Sequence, residues 1–275
     1  MDRFNLNKKF VLITGAGGFL AKEIVSSLLK INARLILTDN DQKKLTRLKK
    51  KYKKQKKTIK VFEMDVTKEK SIKNVLNALK RKKIKIKILV NNAAIDPKYG
   101  KKNRKSIKQT HLENLELNDW DKQISVGLTG SMLCSKFFGA EMAKDNKGGV
   151  ILNIASDLSV ISPNQNIYIS KIKNNLNMNL KKPISYSAVK FGLIGITKYL
   201  ATYWPDKNIR CNAISPGGIF NKHPKKFVKK LSNLVPLGRM GKLHEIGSAV
   251  QFLCSDASSY VTGHNLVIDG GRSIW

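Results

Sequence analysis

The sequence predicts an α/β protein, a doubly wound parallel sheet of about seven strands with helices on both faces. Two observations carry this. Short apolar runs alternate with segments whose apolar residues recur at helical spacing, and 275 residues with 41% hydrophobic content are enough for a core covered on both faces. The runs fall at residues 9–14, 34–39, 59–64, 86–91, 150–155, 209–214 and 266–268. Helical spacing is read over residues 24–29, from Asp41 onward, and over 71–79, 120–142, 186–203 and 244–254. One domain spanning residues 1–275 is expected. Two segments break the alternation, an Asn- and Lys-rich insertion at 161–183 and a segment at 217–236. Each leaves the carboxyl end of a strand, where open parallel sheets bind ligands, so both are expected to be substrate loops.

Composition narrows the function classes. The first ten residues lack a signal peptide's apolar stretch, and no apolar run approaches the ~20 residues that span a bilayer. A cytoplasmic protein with no membrane partner is expected. The three cysteines, Cys134, Cys211 and Cys254, have no metal-type spacing and are expected as buried thiols. The formal charge of +33 raises nucleic-acid binding. Its distribution argues against that, because the lysines of 43–60, 80–87 and 98–108 surround sparse apolar positions as on solvated faces. Lysine also far outnumbers arginine, the better fork for phosphates. Compositional drift, shared with abundant Asn and Ile, and a preference for anionic substrates are the remaining explanations.

The first strand runs into Thr14, Gly15, Ala16, Gly17, Gly18, Phe19, Leu20 and Ala21 and then into a helix. Such a turn brings backbone close to a pyrophosphate, whose charge meets the helix N-terminus. Asp39 ends the second strand about twenty residues beyond the glycine turn, where a carboxylate accepts from an adenosine ribose and repels a 2′-phosphate. This favours NAD over NADP, although Lys43 and Lys44 are compatible with the extra phosphate, and Asp39 could instead cap the next helix.

Tyr186 and Lys190 stand four apart, on one face of a helix. A phenol with pKa near 10 is a poor base at neutral pH, and a nearby cation favours its phenolate. Ser156, at the end of the fifth strand, is placed to hydrogen-bond a substrate oxygen. The four histidines, 111, 223, 244 and 264, show no metal spacing. No metal is expected. His223, beside Lys222, Lys225 and Lys226, is a possible substrate contact, and Lys171, Lys173, Lys181 and Lys182 are candidate anion contacts.

With these residues in order, the chain resembles the short-chain dehydrogenase/reductase family over nearly its whole length. The resemblance rests on the turn at Thr14, Asp65-Val66, Asn91-Asn92-Ala93-Ala94, Ser156, Tyr186 with Lys190, Ser215-Pro216-Gly217-Gly218, and Tyr260-Val261-Thr262-Gly263 through Asp269-Gly270-Gly271. It implies a Rossmann-like fold and a nicotinamide cofactor. It implies that Tyr186 is the acid/base, that Ser156 polarises the reacting oxygen, and that Lys190 binds the nicotinamide ribose. It further implies that Asp65 and Val66 flank the adenine, that Asn92, Ala93, Pro216, Gly217 and Ile219 line the cofactor, and that copies pair through two long helices as a homodimer or homotetramer. From Tyr186 to Trp275 the chain is similar to a bacterial subgroup associated with flagellin modification and acidic-sugar biosynthesis. Ala21 replaces the last glycine of the turn. Gly127 stands where the family has an asparagine that holds a relay water, and Asn92 is a candidate to compensate.

The expected function is NAD-linked interconversion of an alcohol and a carbonyl on a polar, anionic, sugar-derived small molecule. Two alternatives are a carrier-linked 3-oxoacyl reductase, suggested by the basic surface, and an impaired nucleotide-binding sensor or partner subunit, suggested by Gly127.

Overall fold

The computed structural model describes residues 2–55, 57–95, 110–171 and 177–275. The lysine-rich stretch from 98 to 108 and Lys173 lie outside the described residues. Seven parallel strands are ordered β3-β2-β1-β4-β5-β8-β9, namely β1 Phe10–Ile13, β2 Arg34–Asp39, β3 Ile59–Glu63, β4 Ile86–Asn91, β5 Gly149–Ile154, β8 Ile209–Pro216 and β9 Asn265–Ile268. The chain winds outward from β1 through β2 to β3, then returns to lay β4 on the other side of β1. That reversal opens a crevice at the strands' carboxyl ends. Helices on both faces bury the central strands, which is why they read as unbroken apolar runs. Val11, Leu12 and Ile13 of β1 and Leu35, Ile36 and Leu37 of β2 have no exposed surface.

The core forms two layers. On one face α1 (Ala21–Lys30) and α7 (Leu243–Cys254) set Ile24, Leu28, Ile246 and Val250 against Val11, Ile13 and Leu152. On the other, α3 (Glu69–Arg81) contributes Ile72, Val75 and Leu79, which pack with Leu12, Ile36, Phe138 and Leu200. The lysine-rich α2 (Gln42–Lys51) buries only Leu45, as a solvated helix should. Among the described residues no helix is long and apolar enough to cross a membrane. The three cysteines are free and buried, and burial pushes each thiol up to about 12.

The helix expected over 120–142 is longer and less regular. The run α4 opens as Leu117–Ile124, widens into a π-turn at Ser125–Thr129, resumes at Gly130–Cys134, widens again at Ser135–Gly139 and ends with Ala140–Ala143. Ser131 Oγ donates to the Gly127 carbonyl and Ser135 Oγ to the Ser131 carbonyl, each at 2.8 Å. Hydroxyls bonding one turn back compete with the helical ladder, which suits these widened turns. Helix α5 (Ile184–Tyr203) crosses α4 where Gly127 removes a side chain; a Cβ there would lie 2.6 Å from Val189 Cγ1.

The two irregular segments hold more order than loops. The insertion contains a short antiparallel hairpin, β6 (Ile169–Lys171) with β7 (Asn177–Asn179), and the later segment contains α6 (Lys225–Ser232). They share a small core in which Ile167, Leu231 and Met240 are buried with Tyr168 and Phe227 packed against them. Lys230 Nζ donates to the Asn166 carbonyl at 2.8 Å across the same junction.

Beyond the end of α4, Asp145 accepts from Lys87 Nζ at 2.6 Å and Lys85 Nζ at 2.9 Å, fastening this helix to the start of β4. Those two ammonium groups hold its carboxyl down at about 2. A lowered carboxyl contributes stability above its unfolded value and loses it as pH falls through its folded value. Asp145→Asn is therefore expected to reduce the unfolding free energy by a constant amount above pH 3.8. The gap should close as pH falls toward 2. Denaturant titrations showing a pH-independent gap would contradict the pairing.

Candidate active site

The turn after β1 is bound to the end of β4. Thr14 Oγ1 accepts from the Asn92 and Ala93 backbone N–H groups, both at 3.0 Å, and Asn92 Nδ2 donates to the Thr14 and Gly15 carbonyls at 3.0 Å. Gly15 has φ +60°, and a Cβ there would lie 2.8 Å from Ala93 Cα, so only glycine suits the position. The Asn92 amide nitrogen is thus committed to the turn, which argues against its compensating for Gly127. Gly18 N–H closes the turn on the Gly15 carbonyl at 3.0 Å. Leu20 then enters α1 with no side-chain cap. First-turn N–H groups lacking a protein cap are suited to a phosphate.

Asp39 ends β2 only 4% exposed. Its Oδ2 accepts from Gly17 N–H at 3.0 Å, its Oδ1 from Asp41 N–H at 3.1 Å, and Lys44 Nζ lies 3.9 Å away. The cap of α2 is Asp41, which accepts from the Lys43 and Lys44 N–H groups at 2.9 and 3.1 Å. Asp39 therefore joins the end of β2 to the glycine turn instead of capping the helix. Asp65, following β3, accepts from Thr67 N–H at 3.0 Å and Thr67 Oγ1 at 2.7 Å. Burial pushes its carboxyl up, but the Thr67 bonds and the Lys68 ammonium leave it below its ordinary value. Val66 is buried against Gly130 of α4, where a Cβ would come within 2.7 Å.

Pro216 ends β8, and Gly217 N–H donates to the Ile268 carbonyl at 2.9 Å. A Cβ on Gly217 would lie 2.8 Å from Asp269 Cα, and Ile219 bridges to Gly241. The crevice is thus bordered by an uncapped helix N-terminus, closely packed glycines and a buried carboxylate, an arrangement that fits a dinucleotide. Gly15, Gly17, Gly18, Phe19 and Leu20 would face its pyrophosphate and Asp39 its adenosine ribose.

Ser156 follows β5 and is buried. Its Oγ lies 2.9 Å from Asp157 Oδ1 and accepts from Leu158 N–H at 3.2 Å. Lys190, on α5 and 5% exposed, donates to the Ile154 carbonyl at 2.8 Å, which holds α5 to the strand that delivers Ser156. Tyr186 lies one turn earlier. Two ammonium groups stand over its ring, Lys182 Nζ at 3.6 Å from the centroid and Lys190 Nζ at 5.6 Å. The Lys182 backbone is pinned by Gln165, which donates to its carbonyl at 3.3 Å and accepts from its N–H at 2.8 Å.

Three further residues border this cluster. Arg272 NH1 reaches Asp157 Oδ2 at 2.5 Å, and both side chains are almost fully buried. Tyr168 is largely buried; burial raises its phenol, with Lys182 and Arg272 pulling the other way, so it stays neutral at physiological pH. His223 accepts from Asn221 N–H at 3.1 Å through Nδ1 and stacks on Phe227 at 5.2 Å, a turn-forming role. Lys222, Lys225 and Lys226 around it are exposed. Adjacency to Ser156 is the signal by which Asp157 could have been found in the sequence. For Arg272, 115 residues away, there is none.

Comparison with known proteins agrees with this crevice. A family model described as short chain dehydrogenase matches residues 9–172, and one described as enoyl-(acyl carrier protein) reductase matches residues 173–273. An NAD-dependent glycerol dehydrogenase of Listeria innocua is 31% identical, with 98% of this chain and 96% of that protein covered. A 3-oxoacyl-[acyl-carrier-protein] reductase of Thermotoga maritima is also 31% identical, covering 98% of this chain and 99% of that protein. The crystal structure of a short chain dehydrogenase from Leptospira borgpetersenii with bound NAD+ superposes with a TM-score of 0.81 at 31% identity, covering 98% of this chain and 94% of that one. Fold, crevice and relatives agree, and the chain belongs to the short-chain dehydrogenase/reductase family, as an oxidoreductase acting on CH–OH groups with a pyridine nucleotide.

Proposed function

We propose that this chain works as one unit of 275 residues that uses NAD to interconvert an alcohol and a carbonyl on an anionic, sugar-derived small molecule. The observation that carries the reading is the pair of ammonium groups over the Tyr186 ring, at 3.6 and 5.6 Å. Two cations favour phenolate, the form able to take a proton from an alcohol. NAD, when bound along the glycine turn, would supply the acceptor for the hydride of the substrate carbon. Tyr186 receives the hydroxyl proton, Ser156 holds the reacting oxygen, and Lys190 keeps Tyr186 poised while anchored at Ile154. Lys182 has a second role, as the cation that a substrate carboxylate or phosphate meets beside Tyr186. The resemblance over 186–275 makes acidic-sugar biosynthesis of the flagellin-modification type the preferred setting. A carrier-linked reading draws on the Thermotoga reductase; faster turnover of acetoacetyl-carrier protein than of sugar acids would favour it.

Initial rates against hexose phosphates, nucleotide sugars and sugar acids test the assignment. Tyr186→Phe is expected to lower kcat by about 10²–10⁴ with NAD binding kept. Lys182→Met is expected to raise KM for the anionic substrate about tenfold, with kcat changed less. A Tyr186→Phe protein as active as the parent would remove the mechanism.

Asp39 favours NAD, since a 2′-phosphate would meet its buried carboxylate. The kcat/KM for NAD should exceed that for NADP by tenfold or more, about 1.4 kcal/mol of discrimination, and the reverse ratio would overturn the choice.

We also propose pairing of copies through α4 and α5, where Met132, Phe191, Tyr199 and Tyr203 are 41–63% exposed. Light scattering is expected to give a dimer or tetramer; a monomer at micromolar concentration would rule the pairing out.

A further inference from the structure

We propose that Tyr168, from the insertion, is a specificity-determining residue whose hydroxyl bonds a second substrate hydroxyl, on a carbon next to the reacting one. The site then takes polyols and polyhydroxy acids in preference to simple alcohols, a choice of substrate class that rests on the reaction proposed above for Tyr186.

The junction of the two substrate segments seats the Tyr168 ring. It lies 5.7 Å from the Phe227 ring of α6, against the small core in which Ile167, Leu231 and Met240 are buried. The same short turn, Gln165–Tyr168, fixes Lys182 through both Gln165 bonds to the Lys182 backbone, and the Lys182 ammonium stands 3.6 Å from the centre of the Tyr186 ring. One turn therefore brings Tyr168 and Lys182 toward Tyr186 together. The Tyr168 phenol feels the charges of Lys182, Arg272 and Asp157 and the Tyr186 phenol, which sets it between the serine turn and Tyr186. Its hydroxyl has no use inside the protein: among the described residues no group donates to it or accepts from it. A largely buried tyrosine normally finds a partner for its O–H, and an unpaired one is costly. Phenylalanine would fill the same apolar seat without that cost, so the hydroxyl serves a group from outside. Burial keeps the phenol neutral, with one hydrogen to give and lone pairs to accept, which suits an uncharged hydroxyl. A carboxylate or phosphate is the better match for the Lys182 ammonium. Ser156 and Tyr186 already take the reacting oxygen in the proposed reaction. Oxygens on adjacent carbons of a polyol lie about a hydrogen-bond length apart, so the neighbouring hydroxyl is the one that falls to Tyr168.

Tyr168→Phe tests this cleanly, because it keeps the ring against Phe227 and removes an oxygen that bonds nothing in the protein. Two probe pairs each keep a secondary alcohol and drop the hydroxyls beside it: glycerol with propan-2-ol, and D-gluconate with 5-hydroxyhexanoate. The kcat/KM for each probe is taken from initial rates with saturating NAD, for the parent, Tyr168→Phe and Tyr186→Phe proteins. The parent is expected to favour the hydroxylated member of a pair. Tyr168→Phe is expected to cut that preference about tenfold, the scale of one hydrogen bond, by raising KM for the hydroxylated member with kcat and the melting temperature little changed. A purely structural role would lower the melting temperature and slow both members alike, leaving the ratio alone. An unchanged ratio in Tyr168→Phe, with the parent active and Tyr186→Phe inactive, overturns this inference while leaving the oxidoreductase reading intact. A parent with equal kcat/KM for both members of a pair, or inactive on all four probes, overturns the substrate class named here, and the wider panel of hexose phosphates and nucleotide sugars then decides the reading above by itself. Activity retained by Tyr186→Phe removes the mechanism on which both rest.

Discussion

Asn153 Oδ1 accepts from Asn91 Nδ2 at 2.9 Å, and its own amide nitrogen donates to Thr197 Oγ1 at 2.8 Å. These bonds lock β4 to β5 and β5 to α5 in a fully buried setting, where an unmade bond costs about 1–3 kcal/mol. Asn91 also donates to Ser135 Oγ at 3.1 Å, which brings α4 into the same network. The proposed chemistry depends on this junction. β5 delivers Ser156, α5 delivers Tyr186 and Lys190, and β4 delivers Asn92, which holds the glycine turn. A buried polar network of this kind fixes one register between elements that apolar packing alone leaves free to slide.

The same closeness explains Gly127. Where the family pattern has asparagine, this chain removes the side chain and lets α5 approach until a Cβ would lie 2.6 Å from Val189. Val189 directly precedes Lys190, so the absent side chain on α4 and the position of the lysine ammonium are linked by packing. The Gly127 carbonyl already accepts from Ser131. The departure thus has a packing consequence on the helix that carries Tyr186 and Lys190, beyond the loss of one polar group.

The alternation of strands and helices was legible because a parallel sheet covered on both faces demands continuous apolar runs, and these strands supply them. Strand β2 and strand β4 coincide with the runs at 34–39 and 86–91. Asp39 was legible as a carboxylate ending β2, although only the structure separates it from the cap, which is Asp41. The segments 161–183 and 217–236 were harder, since their order comes from each other. Helix α6 exposes most of its lysines, and Leu231 is buried in a small core that Ile167 from the insertion helps to form. The partner of Asp157 was illegible for the same reason: no periodicity links residues that only the folded sheet brings together.

Charge closes the argument. Acidic side chains are few, 19 against 52 basic ones, and several serve as clasps: Asp145 on Lys85 and Lys87, Glu69 on Lys73 and Lys136, Glu141 on Lys80 and Lys144. Exposed pairs of this kind add little stability individually. Their larger effect is on the field, because each carboxylate pins lysines in place without neutralising the whole. The excess positive charge draws small anions toward the protein from any direction, faster at low ionic strength. For the anionic substrate proposed above, selection then falls to the few cations held in fixed positions at the crevice. Lys182 is fixed by both of its Gln165 backbone bonds and by the Tyr186 ring beneath it. In the reaction proposed above, a diffuse field sets the rate of encounter, and the Lys182 ammonium over the Tyr186 ring decides which encounters count.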